Sequence, residues 1–180
     1  MPHSRNATFA PAAPAREGTP AGTKPAASVR IPAVPSRLLI IGYGNTLFAD
    51  DGLGPLVAQQ VADWCAPGVL ALERHELLPE LAADLAAAEE AIFVDAALAG
   101  ARVCLTRLAP PAAPTETPAA HLNHALTPAA LLRLSAALYG RAPAAWLLTI
   151  PGADFSLGGA LSETARAGLA EAVAMLRQRI

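Results

Sequence analysis

The sequence predicts an α/β fold: a three-layer sandwich with a mostly parallel sheet of about five strands and helices on both faces. Three observations lead there. Leu38-Leu39-Ile40-Ile41 and Ala91-Ile92-Phe93-Val94 are short continuous apolar runs, the signature of strands buried on both faces. Segments with apolar residues at helical spacing alternate with them, as at Leu53, Leu56, Val57 and Val61. Strands alternating with helices imply parallel pairing through crossover units.

The chain has 180 residues and a net charge of −2, enough length for one domain with a proper core and no pull toward nucleic acid or anionic membranes. Lysine occurs only at Lys24, a compositional bias of the kind a GC-rich genome imposes. No apolar run reaches the roughly 18–20 residues of a membrane helix. Residues 1–36 differ in kind: prolines are scattered through them and large apolar side chains are few, so this stretch is expected to be a disordered Pro/Ala-rich tail. It lacks the apolar centre of a secretory signal. The folded domain is expected over 37–180. Cys65 and Cys104 have no metal-type spacing and are expected as buried free thiols in a reducing compartment.

The first strand breaks at Gly42-Tyr43-Gly44-Asn45, and two carboxylates, Asp50 and Asp51, precede Gly52-Leu53-Gly54-Pro55. In an open parallel sheet the loop after a strand's carboxyl end is where ligands sit. The glycines do not complete a dinucleotide fingerprint, because the third glycine of Gly-x-Gly-x-x-Gly is missing and an acidic pair would repel a pyrophosphate. The pair suits a cation instead, although one aspartate, Asp50, is accounted for as a helix cap.

The first helix should run from Leu53 to about Trp64 and stop near Ala66-Pro67-Gly68. Val69–Glu73 reads as the second strand. His75 and Glu76 follow its end, where they either line the same crevice as Asp51 or are plain loop residues. Pro79 opens a helix that continues through Leu81 and Leu85 to about Glu89. The third strand ends in Asp95, whose burial would be costly unless it is paired or metal-bound. Ala101–Leu108 reads as an antiparallel strand near an edge. Thr127-Pro128 caps a helix to Leu138, with His121 and His124 in the loop before it. Ala144–Ile150 is the last strand, and Ser162 caps the final helix from Glu163 to about Arg177.

Gly42-x-Gly44-Asn45-x-Leu47-x-x-Asp50-Asp51-Gly52-x-Gly54 resembles the start of the hydrogenase maturation proteases, and Asp95-Ala96 and the Leu161-Ser162 entry to the last helix match the same family. The resemblance spans about Arg37 to Ile180. It implies an endopeptidase that removes the C-terminal extension from the large-subunit precursor of a nickel–iron hydrogenase in the cytoplasm. It also implies Asp51, Asp95 and His124 as metal ligands, His124 by its place just before a helix, with His121 a weaker candidate. The nickel they engage would come with the substrate rather than reside in the enzyme. Two departures stand out. The Asp-Gly-Gly-Thr-like turn of better-known members is replaced by Arg74-His75-Glu76-Leu77-Leu78-Pro79, and Asp51 stands where some members carry Glu.

The chemistry follows from what is present. There is no Gly-x-Ser-x-Gly elbow and no His-Glu-x-x-His helix. Two carboxylates and an imidazole suit a borderline divalent ion such as nickel or zinc, and Asp51 and Asp95 could also poise a water as catalytic carboxylates. A non-catalytic nickel-binding chaperone and a nucleotide-binding domain are the alternatives from other classes.

Overall fold

The computed structural model describes residues 35–98, 100–110 and 126–180. The expected tail therefore lies outside the described residues except at its end, where Ser36 already opens the first strand. His121, His124 and most of the Pro/Ala-rich loop before them also lie outside.

Five strands form one sheet in the order β2-β1-β3-β5-β4. They are β1 (Ser36–Tyr43), β2 (Val69–Arg74), β3 (Ala88–Ala97), β4 (Cys104–Arg107) and β5 (Ala144–Pro151). β1, β2, β3 and β5 pair in parallel, and only β4 runs antiparallel, along the outer side of β5. The helices are α1 (Leu53–Ala62), α2 (Leu81–Ala87), α3 (Pro128–Tyr139) and α4 (Glu163–Arg179). The predicted class, strand count and antiparallel edge strand are all observed. α2 ends two residues sooner than expected because β3 starts at Ala88 and pairs with Ser36 across the sheet.

Strand alternation sorts the core into two layers. Leu38 and Ile40 of β1 and Ile92 and Val94 of β3 face α1 and α4, where Leu53, Val57 and Leu176 meet them. Leu39, Ile41 and Phe93 face α2 and α3, against Leu81, Leu85, Leu131 and Leu132. These side chains are essentially inaccessible, and burying each contributes about 1.5–3 kcal/mol. The helix placement follows from the strand order. The β1-to-β2 and β2-to-β3 connections cross in opposite directions, so right-handed crossovers put α1 and α2 on opposite faces. The connection from β3 to β5 continues in the second direction and carries α3 to the α2 side.

This order also creates the crevice. The chain leaves β1 toward β2 on one side, and β3 lies on the other, so the loops at the carboxyl ends of β1 and β3 diverge. That is a topological switch point, the usual ligand position in open α/β sheets.

Candidate active site

Two carboxylates lie on the elements that border the switch point. Asp51 sits in the short 3-10 turn Asp50–Gly52 between β1 and α1, and Asp95 sits near the end of β3. Both are half-buried. Asp51 is held by its own loop: its Oδ2 accepts a hydrogen bond from the Asn45 backbone N–H at 2.7 Å. Asn45 in turn folds the loop, its side-chain Oδ1 accepting from the Leu47 N–H at 2.9 Å. Gly44 makes room for this turn, because its φ of 141° lies in the left-handed half of the map and a side chain there would run into the Asp51 carbonyl.

Asp95 is held from the neighbouring strand. The Tyr43 hydroxyl donates to Asp95 Oδ2 at 2.8 Å. Burial pushes the Asp95 carboxyl above the usual aspartate range, the Tyr43 hydrogen bond works against that, and the nearby negative charge of Asp51 raises it further. The acidic turn packs against β3, which places Asp51 and Asp95 at the same crevice. Burial, with Asp95 beside it, holds the Tyr43 phenol far above its ordinary value, so it remains a donor.

The glycines flanking the site are packing glycines. A Cβ on Gly54 would lie 2.6 Å from the Val94 carbonyl oxygen, and one on Gly42 would strike the backbone of Gly54. They let the start of α1 press against the ends of β1 and β3, which seats the acidic turn over the crevice.

Asp50 points away from the crevice. It is completely buried, and no side chain caps the 3-10 turn or α1, so the expected helix-cap role is corrected. Its carboxylate instead accepts from Ala153 N (2.7 Å), Asp154 N (2.8 Å), Ser162 N (2.8 Å) and Ser162 Oγ (2.7 Å). Burial works to raise its pKa, but these donors together hold it below the usual range. Ser162 Oγ accepts in turn from Ala165 N at 3.1 Å as the N-cap of α4.

His75 and Glu76 are exposed in the turn after β2. Among the described residues no group of three His, Cys, Asp or Glu side chains could hold an ion, so neither residue joins Asp51 and Asp95 in a metal site. The two carboxylates fit as part of such a donor set, and the third ligand expected from the sequence, His124, lies outside the described residues. The cysteines, expected to be buried, are both exposed and free. Cys65 falls in the turn beyond α1 with a φ of 49°, and Cys104 opens the outer edge strand. Three exposed leucines stand at the same end of the sheet: Leu47 (65 %), Leu98 (83 %) and Leu157 (73 %). The loops of the first and last are joined, the Gly158 N–H donating to the Leu47 carbonyl at 2.7 Å.

Sequence reasoning missed Tyr43 and Asn45 as supports of the carboxylates. Tyr43 was within reach of it, since a polar ring closing a buried strand needs a partner for its hydroxyl.

No protein-family model and no curated protein matches the chain. Solved structures do. The [NiFe] hydrogenase maturation protease HycI from Thermococcus kodakarensis KOD1 aligns with a TM-score of 0.60 at 22 % identity, over 79 % of this chain and 91 % of its own. The hydrogenase 2 maturation peptidase from Thaumarchaeota archaeon SCGC_AB-539-E09 aligns at 0.58 and 23 %, over 80 % and 97 %. The hydrogenase maturating endopeptidase HybD from E. coli aligns at 0.55 and 23 %, over 79 % and 93 %. At these identities the likeness establishes the fold.

Proposed function

We propose that the chain is an endopeptidase that removes the C-terminal extension of a nickel-loaded [NiFe] hydrogenase large-subunit precursor. The observation that carries this reading is that the acidic turn bearing Asp51 packs against the strand bearing Asp95 at the switch point of a fold shared with solved maturation proteases. Nickel enters as part of the substrate. Asp51 and Asp95 supply two oxygen ligands to it, and His124 supplies an imidazole. His124 precedes the α3 cap Thr127 by three residues, a span of about 10 Å at most. α3 lies on the same face as Asp95 and runs back against the strands toward the start of β5, so its first turn opens at the crevice end.

The carboxylate pair also suits aspartic-type chemistry. A water between the two can lose a proton to one carboxylate as it attacks the scissile carbonyl, and burial makes Asp95 a stronger base than an exposed aspartate. The exposed leucines give an extended peptide an apolar rim on which to lie. Among the described residues no helix is long and apolar enough to cross a membrane. The cytoplasmic setting of the proposed reaction comes from the resemblance to the maturation proteases.

The test uses purified protein and a large-subunit precursor with its extension, loaded with nickel or nickel-free, read by intact mass. Loss of the extension from the loaded form alone supports the reading. A stable complex without cleavage points to a nickel-binding chaperone. Cleavage that ignores nickel removes the recognition role of the metal.

A further inference from the structure

The hydroxyl of Tyr43 has no packing reason to be there. Its ring lies against the apolar layer under α2 and α3, alongside Leu39 and Ile41 of the same strand, and a phenylalanine would fill that place equally well. Withdrawing a hydroxyl from water costs free energy unless it is hydrogen-bonded, and this half-buried one is spent on Asp95 Oδ2 at 2.8 Å. The contact is built into the sheet. β1 and β3 pair in parallel with Gly42 opposite Val94, so the next residue on each strand, Tyr43 and Asp95, stand side by side on one face.

An aspartate at a strand end has two side-chain torsions, and a crevice lined by a second carboxylate pushes it away from its neighbour. Productive geometry at a site tolerates only about 0.5 Å. Asp51 has its own anchor in the Asn45 N–H, and among the described side chains Tyr43 alone hydrogen-bonds Asp95. We propose that Tyr43 is a positioning residue for the carboxylate pair: its hydroxyl fixes the carboxyl plane of Asp95 and engages Oδ2, so that the substrate meets Asp95 in one preset orientation. Tyr43 itself does not touch the substrate. This inference rests on the proposed function for its kinetic consequence and on the observed hydrogen bond for its structural one.

The test compares the wild-type protein with Tyr43→Phe and with 4-aminophenylalanine at position 43, which restores a donor at the same place. Processing of nickel-loaded precursor should show kcat falling about 10- to 100-fold in Tyr43→Phe, as for loss of other supporting hydrogen bonds around a site. KM should stay within about twofold. The amino derivative should recover most of the rate. Independently of activity, the 13C carboxyl resonance of Asp95, assigned through its loss in Asp95→Asn, should move in Tyr43→Phe and return in the amino derivative. If Tyr43→Phe does not fold, 4-fluorophenylalanine, which keeps the bulk without the donor, takes its place. A resonance that does not move overturns the proposal, as does a moved resonance with unchanged kcat, or a rate loss that the amino derivative does not repair. If the wild-type protein cuts no precursor, the proposed function fails, and the Asp95 resonance still decides whether Tyr43 orients the carboxylate.

Discussion

Asp50 and Ser162 are joined by two hydrogen bonds, from Ser162 N to Oδ1 at 2.8 Å and from Ser162 Oγ to Oδ2 at 2.7 Å. This pair ties the acidic turn after β1 to the first turn of α4. Since Asp51 is the next residue, the latch that closes the domain also steadies the site.

Asp50→Asn keeps the shape but turns one oxygen into a donor that faces a backbone N–H. A hydrogen bond to a charged group contributes about 1.5–3 kcal/mol, and a mismatched buried donor adds its own desolvation cost. The expected loss is roughly 2–4 kcal/mol, or about 10 °C in Tm for a domain of this size. That exceeds what a helix cap would lose, about 1 kcal/mol. Thermal melts of the two proteins decide it.

The same residue predicts an acid dependence. Hydrogen bonds hold the Asp50 pKa in the folded state below its unfolded value. In the window between the two, the unfolded chain binds more protons, so stability falls as pH falls. The contribution is complete above the ordinary aspartate range and is lost as pH drops through the folded-state value. Urea midpoints followed downward through the carboxylate range should fall more steeply for the wild-type protein than for Asp50→Asn. Parallel curves would contradict this.

Gly54→Ala separates local preference from packing. Gly54 lies in the first turn of α1, where alanine should gain up to about 1 kcal/mol from helix propensity. The new methyl group would instead press on the Tyr43 and Val94 backbone. Overpacking of this kind costs about 1–3 kcal/mol, more when the obstacle is backbone, so the net change should be a lower Tm. A higher Tm would show that α1 can move off the sheet freely.

The layers of this fold were legible because strands buried on both faces leave unmistakable apolar runs, as at Leu38–Ile41 and Ile92–Val94. Thr127 and Ser162 were legible as caps because their partners lie three residues away, at Ala130 and Ala165. Asp51 and Asp95 could be placed at one sheet edge from strand ends alone. The role of Asp50 could not be read locally, because its partners lie more than a hundred residues along the chain. The Tyr43–Asp95 contact escaped for a related reason: it depends on the register of β1 against β3, and a one-residue slip would break it.

The exposed leucines predict a binding effect without a chemical one. Leu47→Glu and Leu157→Glu remove apolar surface from the joined loops at the carboxyl end of the sheet and add charge there, at exposed positions outside the core. KM for the precursor should rise about tenfold for a loss of roughly 1.4 kcal/mol in binding, with kcat nearly unchanged. An unchanged KM would mean the substrate approaches elsewhere.

The central claim is that Asp51, Asp95 and His124 act together on a nickel-loaded precursor. The most direct measurement is the intact mass of that precursor after incubation with Asp51→Asn, Asp95→Asn, His124→Ala and His121→Ala, each checked for an unchanged fold by circular dichroism. The first three should leave the extension attached, and His121→Ala should remove it as the wild-type protein does. Removal of the extension by folded Asp51→Asn or Asp95→Asn would contradict the account.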